Sequence, residues 1–255
     1  MFTPQSRTAL QEQLLRFARA DERITGGALT GSIANDTEDR WSDIDLAFGV
    51  AENIELDDVM RDWTAALAKD LNVVHHFDLR AGSAIYRVFL LADGLEVDIG
   101  LWPAAEFGAA GPKYKLEFGR SVQRPPTSPP PVDHLIGLCW HHALHAHAAI
   151  ERAKPWLAEF WIGELRNNLL SLACIREGLP AVYARGTDDL PAAVTAPYLE
   201  MLVGSLDREQ LRLALARATD ALLQELALAN ADLAARLRPV INSVVLDLPD
   251  HSRTS

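Results

Sequence analysis

Residues 43–50 read Asp43-Ile44-Asp45-Leu46-Ala47-Phe48-Gly49-Val50. Ile44, Leu46, Phe48 and Val50 alternate with Asp43, Asp45, Ala47 and Gly49. A period of two puts successive side chains on opposite faces of a strand, so one face here is apolar and the other small and acidic. Burying the apolar face fixes where the two carboxylates point. Eleven residues before Asp43 stands Ser32, preceded by Gly31 and by a strand-like run from Ile24 to Thr30. Glycine and serine after a strand read as the turn into a helix, where free backbone N–H groups and the positive end of the helix dipole hold phosphate. Two carboxylates on one strand face supply oxygen ligands of the kind Mg2+ takes together with phosphate oxygens. Each feature alone reads as a plain turn or a solvated strand face, because small and acidic residues crowd loops and edges. Their order and strand phase together point to a metal–phosphate site.

Outward from this stretch, the first half of the chain reads as α/β. Thr3-Pro4 opens a helix whose stripe is Leu10, Leu14, Phe17 and Ala18. A second amphipathic helix covers 57–69, with Met60, Trp63 and Leu67 inward. Two apolar runs, 84–91 and 95–101, flank Asp93-Gly94, a short-range hairpin signal. In Leu95 to Leu101 the apolar residues hold the odd positions, so Glu96 and Asp98 share the polar face. If this strand lies beside the Asp43 strand, a third carboxylate joins the site and can take the proton of an attacking hydroxyl. Strand phase does not separate Glu96 from Asp98; Asp98 is preferred because it sits farther from the hairpin turn.

The composition changes at Arg124-Pro125-Pro126-Thr127-Ser128-Pro129-Pro130-Pro131, which cannot continue a helix or occupy a central strand. It reads as an extended linker. Beyond it Ala and Leu recur at helical spacing. The pattern predicts helices over 134–152, from Pro155 to Gly178, a broken stretch over 191–203, a long run to Leu228 opened by an Asp207–Gln210 capping box, and a last helix over 233–244. The expected domains are therefore 1–118, a Pro-rich linker 119–132, a helical bundle 133–246 and a flexible tail 247–255. The expected fold class is α+β, a mixed sheet with flanking helices followed by an all-α bundle.

The 255 residues carry 24 basic and 35 acidic side chains, a formal charge of −11. That disfavours a protein built to coat nucleic acid, which needs clustered Lys and Arg. It suits a cationic small molecule drawn to an acidic cleft. The start of the chain has no signal-peptide pattern, and no apolar stretch has the length and purity of a membrane span. Two cysteines, Cys139 and Cys174, exclude a disulfide scaffold and read as reduced thiols of a cytoplasmic protein.

Gly31-Ser32, the eleven-residue step to Asp43, the Asp43-x-Asp45 pair on a strand and the later strand carboxylate resemble the DNA polymerase beta-like nucleotidyltransferases. The run from Ala20-Asp21-Glu22-Arg23-Ile24-Thr25 through Gly31-Ser32 to Ser42-Asp43-Ile44-Asp45 is most similar to the branch that modifies aminoglycoside and lincosamide antibiotics. The motifs cover roughly residues 20–101; past the linker only the architecture matches. The resemblance implies a transferase that moves a nucleoside monophosphate, AMP from ATP, to a hydroxyl of a small acceptor, with a role in antibiotic resistance. It implies that Gly31 and Ser32 hold the triphosphate, that Asp43 and Asp45 bind Mg2+, and that Asp98 is the third carboxylate. AMP transfer to a protein or an RNA end, and a nucleotide-binding module without turnover, are the competing readings. The lack of a basic tract counts against RNA. Ser32, Asp43 and Asp45, all in place, count against a module that has lost turnover. A monomer and a homodimer are both open.

Weaker signals surround this core. Arg40, Lys113, Lys115 and Arg120 are available to a triphosphate tail, Lys113 and Lys115 foremost, though each also reads as ordinary surface charge. The helix over 134–152 holds His134, His141, His142, His145 and His147. His141 and His145 can face one metal, but no third ligand stands nearby in sequence. Glu164, Asn167, Asn168 and Ser171 form a polar stripe on the next helix, either an internal hydrogen-bond network or the wall of a wet cavity. Glu164, His142 and His145 are candidates for contacting the acceptor or acting as a second base. Asp188 and Asp189 read as surface charges.

Overall fold

A computed structural model describes residues 1–35, 37–126 and 128–245. The chain divides into two compact units, Met1–Thr127 and Ser128–Ser255. The expected tail, 247–255, lies outside the described residues.

The first unit runs α1 (Pro4–Ala20), β1 (Ile24–Thr30), β2 (Ile44–Val50), α2 (Leu56–Asp70), β3 (Val73–Ala81), β4 (Ala84–Leu91), β5 (Glu96–Pro103), β6 (Gly108–Ala109), β7 (Tyr114–Gly119) and β8 (Val122–Gln123). Six strands form one sheet in the order β3-β4-β5-β2-β1-β7. Every neighbouring pair in it is antiparallel except β2–β5, which is parallel. The mixed sheet with flanking helices is thus the expected one. The short β6–β8 pair reaches into the stretch that composition alone reads as linker.

Thr3 caps α1 reciprocally: its Oγ1 accepts from the Ser6 N–H at 3.1 Å and the Ser6 Oγ accepts from the Thr3 N–H at 2.9 Å. Leu14, Leu15 and Ala18 of α1 and Val59, Met60, Trp63 and Leu67 of α2 are buried against one sheet face. That face is built from Ile44, Leu46, Phe48 and Val50 of β2 with Val97, Ile99 and Leu101 of β5. Trp63 sits at its centre, edge-on to Phe17 and Phe48, with centroids 5.1 Å apart in both pairs.

Trp63 is also tied to charge. Its Nε1 donates to Asp21 Oδ2 at 2.7 Å, and Arg23 Nη2 donates to the same oxygen at 2.8 Å. These bonds, the Arg23 guanidinium first, hold the Asp21 carboxyl down at about 2 against an ordinary 3.8. A folded-state value below the unfolded one adds stability above about pH 4 that disappears as the pH falls toward 2. Asp21→Asn is therefore expected to cost about 1–2 kcal/mol at pH 7, and the cost should shrink to nothing in denaturation curves taken near pH 2.

Sequence pattern gives no assignment to β3 or β7, for a physical reason. β3 is an edge strand exposed on both faces, so it has no buried side to impose alternation. β7 carries a bulge opposite Gly27 and Ala28 that breaks the period of two.

The second unit contains α3 (Val132–Glu151), α4 (Pro155–Arg176), α5 (Ala192–Leu199), α6 (Arg208–Ala229) and α7 (Ala231–Val245) around one apolar core. Gly178, at φ +72°, ends α4 as expected. The capping box at α6 does not form: Asp207 is the N-cap residue without a side-chain cap bond, and its carboxylate instead accepts from Ser205 Oγ at 2.7 Å. Buried Glu225 accepts from Tyr198 Oη at 3.0 Å and from Arg176 Nη2 at 3.1 Å, joining α4, α5 and α6. Cys139 and Cys174 are free and buried, and burial pushes the Cys139 thiol up to about 12. Among the described residues, no helix is long and apolar enough to cross a membrane.

Candidate functional site

The face of the sheet opposite α1 and α2 carries Asp45, Ala47 and Gly49 of β2. The parallel register sets Asp45 against Asp98, Ala47 against Gly100 and Gly49 against Trp102. The strand bearing Asp98 does lie beside the strand bearing Asp45. The register also separates the two candidates for third carboxylate. Glu96 is exposed at the start of β5, opposite Leu90 of β4, and has no partner on β2. Asp98 is half-buried and faces Asp45 directly. Asp43 immediately precedes β2 and is close enough for its charge to act on Asp98.

Asp98 Oδ1 is buried and accepts no hydrogen bond. Burial, then the charges of Asp45, Asp43 and Glu96, push this carboxyl up to about 7. The three charges that act on it most are negative. Such a group gains from a cation placed between the strands. Among the described residues, no three His, Cys, Asp or Glu side chains are gathered tightly enough to hold a metal by themselves. Mg2+ does not need three: it is held by one or two carboxylates, with substrate phosphates and water completing its octahedron. The donor set Asp45–Asp98 fits that ion.

Gly31 lets the turn after β1 pack against the Asp45 carboxylate. Its φ is +67°, and a Cβ added there would lie 1.8 Å from Asp45 Oδ2. The bare backbone of the turn therefore lies directly against the carboxylate. The expected helix does not form beyond it. After Gly31-Ser32 the chain makes a single 3-10 turn, Ile33–Asn35, closed on the Ser32 carbonyl by the Asn35 and Thr37 N–H groups at 3.3 and 3.1 Å. A turn this short has no appreciable dipole, so Gly31 and Ser32 offer backbone and hydroxyl groups only.

Arg7 of α1 is a residue that sequence reasoning missed. It is 2% exposed, and its Nη1 donates to the carbonyls of Asp39 at 2.5 Å and Ser42 at 2.9 Å. The loop that delivers Asp43 is thereby tied to the first helix. The signal was a charge on the buried stripe Arg7, Gln11, Leu14 and Ala18, since a buried guanidinium requires acceptors.

Two more missed residues lie on the same sheet face. The Tyr86 ring crosses Gly100, where an added Cβ would come within 2.9 Å of it. It stands edge-on to Trp102 at 5.8 Å, and the Arg124 guanidinium lies 4.0 Å over the Trp102 ring. Arg124 comes from the stretch read as linker, so its place in the first unit was hidden.

The basic candidates fare unequally. Lys115 is opposite Leu29 in the β1–β7 register and so projects to the helix-covered face, away from Asp45 and Asp98; it pairs with Glu117 at 3.3 Å. An antiparallel partner shares its face, so strand phase removes Lys115 from the carboxylate face. Lys113 is exposed just before β7, Arg120 is exposed just after it, and Arg40 stacks on Trp41 at 4.0 Å.

In the second unit, Trp161 lies against His142 and His145, with centroids 5.0 and 4.9 Å away, and His141 meets His145 at 4.3 Å. His142 is buried, shares its Nδ1 with the Asn168 amide at 3.2 Å, and is held below its ordinary pKa by burial. The polar stripe is mostly satisfied internally. Asn168 Nδ2 donates to the Glu164 carbonyl at 2.8 Å, and Ser171 Oγ reaches the carbonyls of Asn167 and Ala181 at 3.0 and 2.8 Å. Glu164 stays half-exposed, with only the Asn167 amide at 3.4 Å on its carboxylate.

No protein-family model matches the chain, and no curated protein matches its sequence. Among solved structures it is similar to an aminoglycoside 6-adenyltransferase from Bacillus subtilis, at 13% identity over 91% of this chain and 95% of that one, with a TM-score of 0.40. It is also similar to a nucleotidyltransferase-like protein from Exiguobacterium sibiricum, at 13% identity over 91% of this chain and 80% of that one, with a TM-score of 0.35. Likeness at that level assigns no activity to this chain.

Proposed function

We propose that the first unit is a nucleotidyltransferase domain that moves a nucleoside monophosphate, AMP from ATP, onto a hydroxyl of a small molecule. The observation that carries this reading is the Asp45–Asp98 pair: two carboxylates on adjacent parallel strands, one with a buried oxygen that has no partner, beside a glycine turn whose backbone lies against the Asp45 carboxylate. When bound, Mg2+ supplies the positive charge that offsets these carboxylates and the triphosphate.

The residues of the chain then divide the work. Asp43, Asp45 and Asp98 would hold the ion. The Gly31-Ser32 turn receives phosphate oxygens through backbone N–H and the Ser32 hydroxyl. Arg7 keeps the loop before Asp43 in place. The acceptor oxygen bonds to the α-phosphorus, the bond to the pyrophosphate oxygen breaks, and pyrophosphate leaves with the electron pair. Asp98, facing Asp45 across the strands, takes the hydroxyl proton. Lys113 remains a candidate for the triphosphate tail; Lys115 does not.

The acceptor class in this reading is a cationic amino sugar or a lincosamide-like compound, which the excess of acidic side chains suits. The full chain incubated with ATP, Mg2+ and a panel of amino-sugar acceptors should release pyrophosphate and yield an acceptor heavier by one AMP. Chelation should stop both. No pyrophosphate with any acceptor would reject the substrate class.

A further inference from the structure

The two edges of the six-stranded sheet are treated differently. β7 is six residues long, carries the bulge opposite Gly27 and Ala28, presents Lys115 and Glu117, and ends on Gly119 at φ +76°. Bulges, charges and short length are the devices that keep an edge from pairing with another chain. β3, the other edge, has few of them. It runs for nine residues without proline or lysine, and its pairing with β4 is regular from His75 to Ala81. Among the described residues no strand lies beyond it, so its outer side offers backbone N–H and C=O groups.

The side chains on this edge are apolar where solvent would ask for polar ones. Phe77 is 50% exposed and Leu79 is 52% exposed. In the register with β4, His75, Phe77 and Leu79 lie opposite Leu90, Val88 and Tyr86, so exposed Leu90 belongs to the same face. On the other face, His76 and Asp78 alternate with them, and Asp78 also accepts from Arg87 Nε at 2.6 Å.

We propose that β3 pairs antiparallel with β3 of a second copy of this chain, with Phe77 on the two-fold axis, so that the sheet continues through a homodimer. The sequence of the strand selects that partner and that register. With Phe77 on the axis, Phe77 meets Phe77, His75 meets Leu79 twice on the apolar face, and His76 meets Asp78 twice on the other. An imidazole facing a carboxylate can donate to it, whereas like charges directly opposite each other destabilise. The axis placed one residue on would set Asp78 against Asp78 and His76 against Arg80. Placed one residue back, it would set His76 against His76 and leave Arg80 without a partner. Strand addition at a free edge gives main-chain hydrogen bonds, while side chains set specificity. This inference does not depend on the transferase reading.

Light scattering on the full chain across micromolar concentrations is expected to show a dimer. Phe77→Lys puts two ammonium groups on the axis and should give a folded monomer whose thermal midpoint no longer depends on protein concentration. Phe77→Cys should cross-link quantitatively on mild oxidation, because opposed residues in antiparallel strands have Cα atoms about 4.5–5.5 Å apart, within disulfide reach. His75→Cys should not cross-link, because in this register the two copies of residue 75 lie about 13 Å apart along the strands. Native Cys139 and Cys174 are buried and stay out of the reaction. A wild-type monomer at every concentration overturns the proposal. So does a dimer that survives Phe77→Lys, or one in which Phe77→Cys fails to cross-link while His75→Cys succeeds. Should Phe77→Lys fold poorly, the two cysteine variants decide alone.

Discussion

Asp98→Asn is expected to give a protein that is more stable than the wild type and inactive. The Asp98 carboxyl sits at about 7 in the folded chain against 3.8 when exposed. For an acid raised in this way, the fold penalises ionisation. The penalty is absent below about pH 4, where the group is protonated in both states, and is complete above about pH 7. At that end it corresponds to about 4 kcal/mol before relaxation is allowed for. Asparagine has the same shape and no charge, but its amide still needs partners, so the net gain at pH 8 should be about 1–3 kcal/mol. Urea denaturation of the metal-free protein at pH 8 and at pH 4 checks the sign, since the gain should vanish at the lower pH. Turnover should fall by at least about a thousandfold, because the site loses a charge that holds the ion and the group that takes the proton. Mg2+ should stabilise the wild type and leave the variant unmoved, as a ligand stabilises only a state that binds it. A variant that keeps its activity would remove Asp98 from the mechanism.

Gly31→Ala should damage both stability and turnover. Two effects combine at this position. An alanine at φ +67° carries a backbone cost of about 1 kcal/mol or more. Its Cβ would also fall 1.8 Å from Asp45 Oδ2, far inside contact distance, so either the turn or the carboxylate must move. Small misplacements of reacting groups cost about a hundredfold in rate. The expected outcome is a loss of about 1–3 kcal/mol in denaturation with a fall in kcat/KM of about a hundredfold or more. Gly82, at φ +63° with nothing within 4 Å, provides the comparison: Gly82→Ala meets the same backbone cost without the clash and should leave turnover intact.

The contrast between these two glycines shows what sequence can and cannot reveal. The alternation in 43–50 is enough to place Asp43 and Asp45 near the start of a strand with a buried apolar side, and the helical period turns Met60, Trp63 and Leu67 inward, where they lie. These are local patterns, and local patterns are legible. Asp98 can be named only conditionally, because the pairing of β2 with β5 is a non-local event that no single strand encodes. The same holds for Lys115, whose face is decided by its register with Leu29. Arg7 and Arg124 escape for opposite reasons. Arg7 hides on a buried helix face among apolar neighbours, whereas Arg124 sits among prolines that read as a spacer. The helix expected after Ser32 fails because the Ser32 carbonyl closes on the Thr37 N–H, a turn that competes with helix growth.

The parallel pairing of β2 with β5 also has a kinetic consequence. Asp45 and Asp98 face each other across fifty-three residues of chain, whereas the β4–β5 hairpin closes over a few. Closing the longer loop costs entropy before any contact rewards it. An interaction that forms late in folding acts on the unfolding rate more than on the folding rate. Asp98→Asn is therefore expected to slow unfolding more than it speeds folding in a chevron plot of the metal-free protein above pH 7. On that expectation the paired carboxylates shorten the lifetime of each folded molecule, and bound magnesium nucleotide would lengthen it.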